Sequence, residues 1–170
     1  MYVAGMSVAV RRQVDKDPRS ICFLRFLGEV KANPTVASRE RYTGFFRGKG
    51  LPDLMANHDF DKHVGVGLDH VDPCAVDKEI ETLRNKADVL RSYVNKRIAH
   101  HDEEEFTNFP KFQDVDDAIE YLEYLLKRYL LLFRGVGITQ ILPIWQYDWK
   151  AVFRVPWIDA APSGGQAGKI

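Results

Sequence analysis

Little in this chain points to a membrane, a secretion route or a metal. No apolar run approaches the roughly 20 residues needed to span a bilayer. The densest run, residues 129–133, is bracketed by Lys127, Arg128 and Arg134. A signal peptide would carry positive charge ahead of its apolar stretch, whereas here Arg11-Arg12 follow it. The two cysteines, Cys22 and Cys74, lie far apart without a metal-type spacing. A reduced cytoplasmic protein is therefore expected, with both cysteines buried as small apolar residues. Gly65-Val66-Gly67 is too short for a phosphate loop and lacks the following Lys-Ser/Thr. No internal repeat occurs. The formal net charge of zero gives no general pull on nucleic acid.

What remains is an ordinary globular composition: 170 residues, 45% hydrophobic and 28% charged. That length suits one domain around one core, here expected over residues 1–158, with 159–170 as a disordered tail. Charge is unevenly spread. Residues 1–50 hold ten Lys/Arg against four Asp/Glu, residues 51–126 eight against eighteen, and residues 127–170 six against two. The basic ends are open to two readings, contact with phosphates or pairing with the acidic middle of the same fold or a twin subunit.

Apolar spacing predicts a mainly α protein, a bundle of up-and-down long helices with a short irregular or β-like C-terminal segment. Val3, Met6, Val10 and Val14 mark a first helix. Asp17-Pro18 reads as a helix start for a second, with Ile21, Leu24, Leu27 and Val30 inward and Asn33-Pro34 as its stop. Thr35 or Ser38 caps a shorter helix over 39–46. Residues 47–72 have no sustained period and read as an irregular connection, with at most a turn of helix near Leu54. Asp72-Pro73 then opens a long helix whose seam is Val76, Ile80, Leu83, Ala87, Leu90 and Val94. After a break near Asn108-Phe109-Pro110, Asp114 caps a last helix through Phe133. Its inward positions are Val115, Ile119, Leu122, Leu126 and Phe133, and Gly135 closes it.

The chemistry-bearing residues gather where the long seam ends. Arg97 lies three residues before His100 and four before His101, so it neighbours both on a helix surface. Histidine exchanges protons near neutral pH, and arginine stabilises charge on phosphate. Together they form a minimal kit for metal-independent RNA cleavage. The competing reading is a helix end whose cations simply complement the macrodipole. The acids from Asp102 to Glu105 would favour protonated histidine and repel a phosphate backbone.

Residues 93–102, centred on Asn95-Lys96-Arg97-Ile98-Ala99-His100-His101-Asp102, resemble the signature of HEPN domains, a helical-bundle family of prokaryotic toxins and abortive-infection proteins. The resemblance is nearest to the abortive-infection U-type branch. Arg11-Arg12-Gln13-Val14-Asp15, the 20–27 helix and the late Trp145, Trp149 and Pro156-Trp157 also fit that branch. The family motif is an arginine, a polar residue, four variable residues and a histidine. Asn95 and His100 match it, and Val94 stands at the arginine position. The resemblance implies a homodimer through the motif helices and a toxin or phage-defence setting with a neutralising antitoxin. It further implies RNA binding or metal-independent endoribonuclease chemistry with no cofactor. His100 would be the acid/base, Arg97 the charge stabiliser and Asn95 the positioning group. His101, Asp102 and Arg91 would support them, and Arg11 and Arg12 would bind RNA. With valine at the arginine position, a slow enzyme or a silent binding and dimerisation module is expected unless Arg97 or Arg91 substitutes.

Other groups carry two readings each. Arg12 is read as reaching the motif helix or binding RNA, and Arg11–Asp15 as an i,i+4 surface pair. His58, Asp59, Asp61, His63, Asp69, His70 and Asp72 are metal-ligand types, but without tight spacing they read as a solvated loop. Trp145, Tyr147, Trp149, Phe153 and Trp157 suit packing more than base stacking.

Overall fold

A computed structural model of the chain describes residues 2–47, 49–50, 52–99, 106–141 and 154. The chain divides into two compact units, Met1–Thr139 and Gln140–Ile170. The first is a mainly α bundle of helices α1 (Tyr2–Gln13), α2 (Phe23–Ala32), α3 (Arg39–Gly44), α4 (Asp53–Val64), α5 (Pro73–Tyr93) and α6 (Phe112–Arg134). Of the second, residues 140–141 and 154 are described. The expectations for the Trp-rich segment and for the 159–170 tail lie outside the described residues.

The central rod is α5. Asp72 accepts a hydrogen bond from the Cys74 backbone N–H (3.0 Å), and Pro73 needs no N–H of its own in the first turn. The whole expected seam is buried, from Val76 through Leu90 and on to Val94. Burying each of its larger side chains contributes about 1.5–3 kcal/mol. Around it α1 and α2 run in succession against α5: Arg11 meets Asn95 near the top of the rod, and Lys31 meets Asp77 (2.5 Å) near its foot. Helix α6 also runs against α5, since Lys86 pairs with Asp117 and Glu79 with Arg128. No helix among the described residues is long and apolar enough to cross a membrane.

Several expectations are corrected. Asp17-Pro18 makes a turn rather than a helix start. Asp17 accepts from the Arg19 backbone and guanidinium, Ser20 N–H closes onto Asp17 O (2.9 Å), and α2 begins only at Phe23. Ile21 is consequently 98% exposed instead of inward. Residues 47–72 contain α4, a twelve-residue helix that spends only Ala56 and Phe60 on full burial. Two buried positions are too few to show as a period. Asp114 is not the cap of α6 but its third residue, accepting from Lys111 N–H (2.7 Å). The buried stripe of α6 is Val115, Ala118, Leu125, Arg128, Tyr129 and Leu132; Leu126 is only partly covered. Cys22 is buried as expected, whereas Cys74 is exposed. Gly135 does close α6, in the left-handed conformation (φ 61°) that glycine adopts without penalty.

Candidate functional site

Beyond Tyr93 the long helix widens into a π-helical stretch, Val94–Ala99. Such stretches are rare and commonly occur at functional sites. The wider turn changes which residues face inward. Val94 stays in the core at 4% exposure, while Ile98, four residues on, is 42% exposed. Arg97 is partly buried, and its Nε is shut off from water without a hydrogen-bond partner. A guanidinium N–H in that state carries a desolvation cost of about 1–3 kcal/mol.

The end of α1 lies against this stretch. Arg11 Nε donates to Asn95 Oδ1 (3.3 Å), and the same guanidinium sits 3.7 Å from Asp15. Asn95 is held through its carbonyl, which leaves its amide N–H groups as donors. Arg91, three residues before Val94, pairs with Asp88 (2.7 Å). A depression of about 140 Å³ is lined by Arg11, Val14, Asp15, Lys16, Arg91 and Asn95. A second, of about 200 Å³, shares Val14, Lys16 and Arg91 with it and extends to Arg84. Asp15 has its carboxyl held below the usual range, first by the Asp17 backbone N–H, then by the Ser20 hydroxyl and the Arg11 charge. It remains an anion that trims the positive field of the groove. The arrangement can grip an anion the size of a phosphate with arginine and amide donors.

The structure thus brings Arg11, Asn95 and Arg91 together. Arg11, not Arg12, is the residue that reaches the motif helix; Arg12 is exposed. His100, His101 and Asp102 lie outside the described residues. Lys16 and Arg84 escaped the sequence reading, because their place in the groove depends on α1 running against α5. So did the buried Glu79–Arg128 pair, whose only sequence signal is a cation set three residues after Leu125 and four before Leu132 on an apolar stripe. The His/Asp-rich stretch is largely committed to holding α4: Asp61 pairs with Arg39 (2.6 Å), and Asp59 accepts from the Tyr42 hydroxyl. Among the described residues no group of three or more His, Cys, Asp or Glu could hold a metal ion. Comparisons with protein-family models, with curated proteins and with solved structures found no match.

Proposed function

We propose that this chain is a HEPN-like protein of toxin or phage-defence type that binds RNA at the α1–α5 groove and cleaves it slowly. The observation that carries the reading is the Arg11–Asn95 hydrogen bond. It ties the basic end of α1 to the polar position of the motif, with Arg91 in the same depression. Cleavage would proceed by attack of the ribose 2′-oxygen on phosphorus, breaking the bond to the 5′-oxygen and leaving a 2′,3′-cyclic phosphate. In this scheme His100 moves the proton, Arg97 stabilises the charge on phosphorus and Asn95 positions the phosphate. His101, Asp102 and Arg91 support them. A cytoplasmic homodimer through the motif helices and a neutralising antitoxin belong to the same proposal.

The burial of Val94 favours a second reading, a silent binding and dimerisation module. Losing an oriented charge-stabilising contact costs roughly two to three powers of ten in rate. One experiment separates the two. Long RNA is incubated with the protein in EDTA beside His100→Ala and Val94→Arg variants, and binding is followed in parallel. Slow cleavage that disappears with His100→Ala is the expected result. Cleavage by Val94→Arg alone marks a lapsed nuclease, and neither binding nor cleavage by any variant refutes RNA as the ligand in either reading.

A further inference from the structure

The two depressions on the α1–α5 face carry a surplus of positive charge. Arg11, Lys16, Arg84 and Arg91 line them against two acids, Asp15 and Asp88. Asp15 lies against Arg11 and Asp88 pairs with Arg91. The surplus is Lys16 and Arg84, both exposed, whose side chains have no hydrogen-bond or ion-pair partner among the described residues. Depressions elsewhere on the first unit are balanced. Lys62 faces Asp59 between α4 and the end of α6, and three arginines face Glu40, Asp53 and Asp69 beside α3. The positive stretch also has an end. Beyond Lys16 and Arg84 the surface adds Asp17 and Glu29 against one further cation, Arg25.

We infer that Lys16 and Arg84 form a second phosphate subsite, which takes the backbone of an RNA strand flanking the phosphate held at Arg11 and Asn95. The inference rests on the RNA-binding reading above and adds the path of the strand. Arg84, Asp88, Arg91 and Asn95 follow one another along α5 at steps of four, three and four, so they share one side of the helix. The helical rise sets Arg84 roughly 16 Å from Asn95. A single phosphate fills one of the two depressions and leaves the charge of the other unmet. A stacked strand advances about 3.4 Å per nucleotide and would cover both with roughly four to five nucleotides. Exposed cations that touch only phosphates read no bases, so the subsite would raise affinity equally for all sequences.

The test uses the full chain and fluorescein-labelled uridine and adenosine RNA octamers in EDTA, with anisotropy read before slow cleavage proceeds. Affinity is followed from about 50 to about 200 mM salt. A variant carrying both Lys16→Ala and Arg84→Ala should bind each octamer about tenfold more weakly. Its slope of log affinity against log salt should be shallower by about 1.4, or about 0.7 for each lost phosphate contact. Lys16→Arg with Arg84→Lys should keep the wild-type slope. Because both residues are exposed, the melting curve should not change; if it does, the two single alanine variants are read instead, each expected to lose about 0.7 of slope. Wild-type affinity and slope in the double alanine variant overturn the subsite and leave the RNA-binding reading standing. Absence of RNA binding by the wild-type protein overturns both. A loss confined to one octamer also overturns the subsite, since it marks a base contact. So does displacement of RNA by inorganic phosphate as readily as by unlabelled octamer, which assigns the groove to a small anion.

Discussion

Two arginine systems sit at opposite ends of this bundle, and they differ in how completely they are satisfied. Near the foot, Arg128 is 8% exposed. It donates to the Glu79 carboxylate and to the His63 carbonyl (3.0 Å), while Tyr129 donates to the other Glu79 oxygen (2.7 Å). At the motif end Arg11 is half-exposed, with a long bond to Asn95 and a distant acid, and Arg97 has a buried nitrogen with nothing to bond. A buried charge paired with an acid and a carbonyl from two other helices is a structural tie; it locks α4, α5 and α6 together. A half-exposed cation such as Arg11, with one long bond, keeps donors that a ligand could reach. Sequence chemistry alone does not separate the two, since each is an arginine on a helix.

Breaking the buried Glu79–Arg128 pair should have the largest effect. Arg128→Ala strands Glu79 in the core and is expected to lower unfolding free energy by about 3–5 kcal/mol in urea titration. A loss under about 1 kcal/mol would mean that the pair is no more structural than a surface bridge. Next in size is Gly135→Ala. Its φ of 61° disfavours a side chain, and the added Cβ would lie 2.9 Å from Phe45 Cβ. About 2 kcal/mol of destabilisation is expected, read from the same titration.

Alkaline pH sharpens the contrast further. Burial, and then the bond to Glu79, raises the Tyr129 phenol above its ordinary value; burial and then Asp59 do the same for Tyr42. A raised folded value means that the stabilisation is complete below the unfolded value, about 10, and is lost as pH climbs above it. The urea midpoint should therefore fall above about pH 10, and less steeply in Tyr129→Phe. An unchanged slope in that variant would contradict the assignment. Smallest of all should be Arg11→Ala, which removes a half-exposed pair and should cost under about 1 kcal/mol. Under the proposed RNA-binding function its effect should instead appear in RNA affinity, as a severalfold loss by filter binding. Large destabilisation with unchanged affinity would move Arg11 into the structural class.

Much of the fold was legible where one face of a helix is apolar and the other is not. The α5 seam from Val76 to Val94 needed nothing beyond spacing and the Asp72-Pro73 cap. The same dipeptide at Asp17-Pro18 misled, although both aspartates bond the backbone N–H two residues on. What differs is downstream: Val76 finds a core in the first turn of α5, while Ile21 finds water. Helix α6 was placed correctly but turned by about one residue. It is apolar nearly all round from Tyr121 to Phe133, so two overlapping seams compete, and burial of the small Ala118 and the paired Arg128 marks the one that faces the core. In the candidate site Asn95, Arg91 and Arg11 could each be named from the chain, but that Arg11 rather than Arg12 meets Asn95 could not.

The sequence by itself determined that this protein is helical, that α5 is its spine and that Val94 belongs to the core, because periodic burial is a local property of side chains along one helix. Only the tertiary structure decided the rest: which arginine faces the motif, that α4 exists, and which charges are buried in pairs. Those outcomes depend on the direction in which helices pass one another and on the π-helical widening after Tyr93, and neither is encoded in the spacing of a single segment.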